Sequence, residues 1–272
     1  MRLPDATIVI PVHNQLHYTR QCLESLNASG CPDTMIVVIN NASTDDTAQF
    51  LAQRPELRVI HNPENRACAA AWNQGLKASS TRWIVFLNND VVVAPDWLHN
   101  LIEFAENNNV DIVTPAMGEG ELNHDFTRYA QDVVVKMKSV RRRGDAHGAC
   151  FVVSSKVFES IGNFDENFRK GGHEDTDFFW RAKAAGFELA TTGCTYIHHF
   201  SGSTLRMIVA AHGSHHKEDA AYFRRKWKLK WHHRRLLQIH RKTLGAWRVF
   251  RERLLYGHTL RERWRAGKMS YH

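Results

Sequence analysis

Four short runs of apolar, β-branched residues in the first ninety positions limit the fold more than any other feature of this sequence. They cover residues 7–12, 35–40, 57–60 and 83–87. Each is apolar on both faces, as a parallel strand covered by helices should be. Amphipathic segments fill the gaps. Tyr18, Cys22, Leu23 and Leu26 share one helical face. Ser43 or Thr44 suits the cap of a second helix, with Asp45 and Asp46 in its favourable first turn. A third helix is expected over residues 67–78. A fourth starts at Pro95 and turns Trp97, Leu98, Leu101, Ile102 and Ala105 inward. Strand–helix alternation of this kind predicts a doubly wound α/β sheet.

Residues 118–145 are polar, lack a period and include Arg141-Arg142-Arg143, which reads as a functional loop or lid. A strand over 149–153, a helix over 154–161 ending at Gly162 and a helix over 174–185 ending at Gly186 follow. The character then changes, and a boundary is expected near residue 206. Residues 1–214 hold 19 Lys and Arg against 24 Asp and Glu, whereas residues 215–272 hold 17 against 4. The net charge of +8 is therefore a mildly acidic body with a basic, helical tail, which points to an anionic partner. Arg224, Arg225, Lys226, Lys228, Lys230, Arg234 and Arg235 interleave there with Trp227, Trp231, Leu236 and Leu237. That pattern suits an anionic membrane surface, or equally a helical appendage packed on the body or on another subunit. Five scattered cysteines without a CxxC pair read as reduced thiols. No run approaches the ~20 apolar residues that cross a bilayer. The expectation is a soluble cytoplasmic protein, attached at most to the inner face of a membrane.

Four polar clusters carry the chemistry. In Leu87-Asn88-Asn89-Asp90 an apolar strand ends in polar residues and an acid, at the strand end where open α/β sheets bind ligands. A carboxylate there suits Mg2+ or Mn2+, which share diphosphate oxygens; an ordinary turn is the plainer alternative. His173-Glu174-Asp175-Thr176-Asp177 crowds three acids into a helix start. Such charge complements the helix dipole, and crowding also raises carboxylate pKa values toward those of a general base. His198 and His199 follow a strand-like run and suit a metal ligand, although a lone histidine is more often structural. Pro11-Val12-His13-Asn14 and the segment from Asn40 through Ser43 to Asp45 lie at two neighbouring strand ends. They could hydrogen-bond a base and ribose, or simply cap helices.

The order of these clusters, with the segments TIVIPVHNQ, VINNASTDDT, NPENRACAAAWNQGLKAS, FLNNDVVVAPDWL, GACFVV, GNFDENF and HEDTDFFWRAKAAG, resembles the family 2 glycosyltransferases over roughly residues 5–204, in particular a rhamnosyltransferase-like subgroup. The resemblance implies a GT-A fold, Rossmann-like and mostly parallel, over residues 1–206. Residues 1–115 would bind the nucleotide sugar and 116–206 the acceptor, with residues 207–272 as the basic helical extension. It implies inverting transfer from a UDP- or dTDP-sugar to a glycan, lipid-linked or protein acceptor in surface polysaccharide, glycolipid or glycoprotein assembly, and no nucleic acid partner. Asp175 would be the catalytic base, supported by Glu174. Asp90 would hold Mn2+ or Mg2+ with His198 or, second in preference, His199. Pro11, Val12, His13, Asn14, Asn40, Ser43, Asp45, Arg66, Asn73, Asn88 and Asn89 would serve the donor.

Three positions depart from the family pattern. Asn40 and Asn88 stand where acids are usual, and Ala67 where glycine is. Three rival readings follow. A nucleotidyltransferase would carry a Gly-rich loop after the first strand, where Val12-His13-Asn14-Gln15 stands instead. A nucleic-acid- or membrane-binding protein would use the tail. An inactive transferase would explain the two asparagines.

Overall fold

A computed structural model describes residues 4–169, 171–200, 216–265 and 268–271, with the backbone alone at 216, 231–242, 265, 268 and 270–271. In chain order the helices are α1 (Leu16–Ala28), α2 (Thr47–Ala52), α3 (Ala67–Lys77), α4 (Trp97–Asn108), α5 (Phe126–Met137), α6 (Ser155–Ile161), α7 (Glu174–Ala184), α8 (His216–Lys226) and α9 (Trp231–Tyr256). The strands are β1 (Ala6–Val12), β2 (Ile36–Asn41), β3 (Arg58–Asn62), β4 (Trp83–Leu87), β5 (Val91–Val93), β6 (Ile112–Gly120), β7 (Arg141–Arg143), β8 (Cys150–Ser154), β9 (Leu189–His199), β10 (Arg261–Arg265) and β11 (Lys268–Tyr271).

These strands form one sheet in the order β11-β10-β6-β8-β4-β1-β2-β3, with β9 joining β5, β6 and β7. The first half is parallel, β1 pairing with β2 and β4, and β2 with β3. Beyond β4 the sheet is mixed, because β8 runs antiparallel to both β4 and β6. The sheet is thus less uniformly parallel than the alternation of the first ninety residues suggests.

Period-two alternation sorts the central strands into two cores. Ile8, Ile10, Val85 and Leu87 face α1 and α4, where Cys22, Leu23, Leu26, Trp97, Leu98 and Leu101 are buried against them. Val9, Ile84 and Phe86 face the other way, onto Ala71 and Trp72 of α3 and Phe178 and Ala182 of α7. Helix α3 lies so close to β1 that a Cβ at Gly75 would come within 2.1 Å of Val9.

Two sequence expectations change here. The stretch expected to be an irregular loop, 118–145, holds α5 and β7. Asp125 caps α5 by accepting from the Arg128 backbone N–H at 3.1 Å, and Ala130, Val133 and Met137 are buried. The Arg run is β7, antiparallel to β9. The basic segment does not remain helical either: after α9, β10 adds to the sheet parallel to β6, and β11 folds back on it. The expected boundary near residue 206 lies outside the described residues.

Candidate active site

Strand ends build the site. Antiparallel pairing of β5 with β9 sets Val91 opposite His199 and Val92 opposite His198. The Phe200 N–H donates to the Asp90 carbonyl at 2.9 Å, so Asp90 sits against the end of β9. Neighbouring residues on a strand point to opposite faces, and only one of the two histidines can reach the acid. It is His199, whose Nε2 lies 3.2 Å from Asp90 Oδ1. His198, the histidine preferred from sequence as a metal ligand, is fully buried on the other face, 3.0 Å from the Gly120 carbonyl through Nε2. Burial pushes its pKa down to about 4.

His199 belongs to a chain of charges. Its Nδ1 faces Glu119 at 3.7 Å, an ion-pair distance too long for a hydrogen bond. Arg263 of β10 donates to Glu119 at 2.9 Å. Burial disfavours charge on the His199 imidazole, but Asp90 and Glu119 outweigh it and raise its pKa to about 9. Burial likewise opposes ionisation of Glu119, yet His199 and Arg263 hold it at about 2. The pairing of β10 with β6 sets Arg263 directly opposite Glu119. Nothing local in the sequence marks Glu119 or Arg263, because the strand pairing that joins them spans 144 residues.

Asp90 and His199 fit a hard divalent cation. Two donors side by side on an octahedral ion at about 2.1 Å lie roughly 3 Å apart, close to the 3.2 Å between these atoms. Among the described residues no three His, Cys, Asp or Glu side chains form a metal-binding group, so diphosphate oxygens and water would complete the shell. Asn88, which stands where the family pattern has an acid, places Nδ2 3.5 Å from His199 Nε2.

The acidic helix start lies across the same strand ends. Asn88 N–H donates to the Ala149 carbonyl at 3.0 Å, and the adjacent Gly148 touches Asp175. A Cβ at Gly148 would sit 2.2 Å from Asp175 Oδ2. The other oxygen, Oδ1, accepts from Thr176 N and Oγ1 at 2.6 and 3.1 Å. The three acids have separate fates. Glu174 is buried, with Oε2 unbonded among the described residues; burial and then the Asp175 charge raise its pKa to about 8. Asp175 is half-buried at the cleft. Asp177 is fully buried and anchors α8, accepting from Lys226 and Trp227 at 2.8 and 2.9 Å.

The residues expected from sequence to line the nucleoside form a stitched frame. Asn14 N–H donates to Ser43 Oγ at 2.9 Å, Thr44 N–H donates to Asn14 Oδ1 at 2.6 Å, and His13 Nδ1 lies 2.8 Å from the Asn41 carbonyl. Asp45 accepts from Leu16 N and Thr47 N. These bonds hold the β1–α1 and β2–α2 loops together beside half-buried Pro11. Asn40 is buried, with Oδ1 accepting from Ser43 N at 3.1 Å and Nδ2 beside His61 Nδ1; its oxygen keeps a second lone pair.

Besides His198, four donor residues assigned from sequence do not face this cleft. Val12 is buried in the core. Asn89 is buried and donates to Thr19 of α1 at 3.0 Å. Asn73 binds Phe164 N and O and Glu166, tying α3 to the segment after α6. Arg66 and Asn73 border a cavity of about 790 Å3 that none of Asp90, Asp175 and His199 lines.

The model of the Glycosyl transferase family 2 matches residues 7–184. The chain belongs to glycosyl transferase family 2. Asp90, Glu174 and Asp175 fall inside the match, His199 and Arg263 beyond it. Relatives of this family 2 member include the pre-mycofactocin glycosyltransferase of Mycobacterium tuberculosis, 27% identical over 76% of this chain and 45% of that protein. Glycosyltransferase AglE of Haloferax volcanii is 27% identical over 69% and 64%. The chain thus spans about half to two thirds of these relatives. Its fold is that of GT-A glycosyltransferases. GalNAc-T7, solved with UDP, GalNAc and Mn2+, superposes with a TM-score of 0.59 at 16% identity, over 72% of this chain and 44% of that one. Residues 1–349 of S. aureus TarS give 0.58 at 16% identity, over 76% and 64%.

Proposed function

We propose that this family 2 member transfers a sugar, with inversion, from a UDP- or dTDP-linked donor to an acceptor hydroxyl of a growing glycan, whether lipid-linked or on a protein. One observation supports this above others. A continuous path of contacts, Asp175–Gly148–Ala149–Asn88–His199–Asp90, gathers a carboxylate and a carboxylate–imidazole pair at the adjoining ends of β4, β8 and β9.

In this reading Asp175 Oδ2 takes the acceptor proton while the acceptor oxygen attacks the anomeric carbon. The bond to the diphosphate breaks on the opposite face. Thr176 fixes the other carboxylate oxygen, so Asp175 presents one oxygen in one orientation. Glu174, neutral near pH 7, adds no second charge beside it. Asp90 and His199, the latter giving up its Nε2 proton, would hold Mn2+ or Mg2+, whose positive charge would offset the negative charge developing on the leaving diphosphate. The stitched β1–α1 and β2–α2 loops frame the nucleoside.

A positioned base contributes about 10²–10⁴-fold in rate. Asp175→Asn should lose that much turnover while calorimetry shows donor affinity within about twofold of wild type; full turnover in this variant would end the assignment. Asp90→Ala should abolish the Mn2+-dependent part of donor affinity. Donor binding indifferent to both EDTA and Asp90→Ala would refute the cation site.

A further inference from the structure

Helix α9 presents a face that the sheet and its helices leave uncovered. In its second half, Glu252 is buried and Val249 and Tyr256 are half-buried. On the opposite side Leu244, Trp247, Phe250, Leu254 and Leu255 are 37, 56, 65, 71 and 57% exposed. At 3.6 residues per turn these five fall on a single arc. Arg248 and Arg253 border the arc on its two edges. Arg251 lies within it, its guanidinium 5.6 Å above the Trp247 ring.

Charge decides what this face can meet. The one acid in the 26 residues of α9 is Glu252, and it is paired internally with Arg142 at 2.6 Å. The helix therefore brings to its exposed face apolar residues with basic edges and no negative charge of its own. A second copy of α9 would set arginine against arginine. An apolar arc of Trp, Phe and Leu between basic edges matches a helix lying in the headgroup layer of a bilayer. We propose that the ridge of Leu244, Trp247, Phe250, Leu254 and Leu255 docks this protein onto an anionic lipid surface, with Arg248 and Arg251 at the headgroups. The site differs from the one the basic run alone suggests: Lys226 and Trp227 are committed to Asp165 and Asp177 inside the body. The inference does not depend on the sugar-transfer reading.

Flotation of the full chain tests it, with phosphatidylcholine vesicles compared with vesicles containing about one third phosphatidylglycerol. The wild type should float with the anionic vesicles and stay down with the neutral ones. Trp247→Ala/Phe250→Ala should reduce the bound fraction about tenfold or more through lost apolar contact. Arg248→Glu/Arg251→Glu should do the same through reversed charge, and both variants should keep the wild-type melting temperature. A wild type that fails to float, or variants that float equally well, would overturn the proposal. So would a dimer in sedimentation that Trp247→Ala/Phe250→Ala dissociates, since the ridge would then belong to a second copy.

Discussion

Two adjacent histidines show how far one residue step changes chemistry. His199 reaches Asp90 and is held charged, with its pKa at about 9, while His198 is turned into the core and held neutral, at about 4. Both were legible as candidates, but strand pairing rather than residue type decides between them. Ala67 is the reverse case, where a changed letter leaves the backbone in the conformation that glycine suits. It stands where the family usually has glycine, and its φ of 62° lies in the left-handed region that a Cβ disfavours. Ala67→Gly should relieve that cost, less the entropy added to the unfolded chain, and raise stability by about 1 kcal/mol. Urea unfolding should show a higher midpoint at unchanged slope. A lower midpoint would mean that the surrounding Asn41–Asn65 bonds already favour alanine at this turn.

At the level of elements, local pattern predicted local structure. The first four strands and α1, α3, α4, α6 and α7 follow from period, caps and glycine stops within a few residues of each. Strand β10 could not be read this way, because its partner β6 lies more than 140 residues earlier and neither strand has a signal for the other. The Arg141–Arg143 run was visible as charge, yet its function depends on α9: Arg142 grips Glu252 through two bonds of 2.7 and 2.6 Å, and the Leu260 N–H donates to the same carboxylate at 3.1 Å. Both side chains are about nine-tenths buried. Removing one partner of such a pair strands a buried charge, which costs about 3–5 kcal/mol. Arg142→Ala should therefore lower the melting temperature markedly, whereas Arg142→Met/Glu252→Leu should recover most of it. A single variant melting close to wild type would show that α9 and β10 are held on the body by other contacts.

Over the whole molecule, buried ionisable groups set the pH range in which the fold is most stable. Glu174 starts α7 facing Asp175 on its own helix, Asp219 on α8 and the half-buried Cys68 thiol on α3. Its pKa rises from 4.5 to about 8 on folding. The folded state thus holds a proton that the unfolded chain releases, so this contribution is complete below pH 4.5 and disappears as pH rises through about 8. His147 acts at the other end. It is buried, 2.9 Å from the Pro115 carbonyl through Nε2, and its pKa falls from 6.5 to about 4, chiefly by burial. Its contribution is complete above pH 6.5 and lost as pH falls through about 4. Melting temperature should therefore fall on both sides of a mildly acidic maximum. Glu174→Gln keeps the shape of the side chain but cannot ionise, so it should make the alkaline limb shallower, leaving the part His199 contributes as it loses its proton toward about 9, and keep the acid limb unchanged. Because the same substitution leaves Asp175 and its Thr176 bonds in place, turnover near neutral pH should stay within about tenfold of wild type, well short of the loss expected from removing a base. A variant that keeps the wild-type slope from pH 5 to 8 would show Glu174 already ionised in the fold. One that loses turnover as severely as Asp175→Asn would move the base from Asp175 to Glu174.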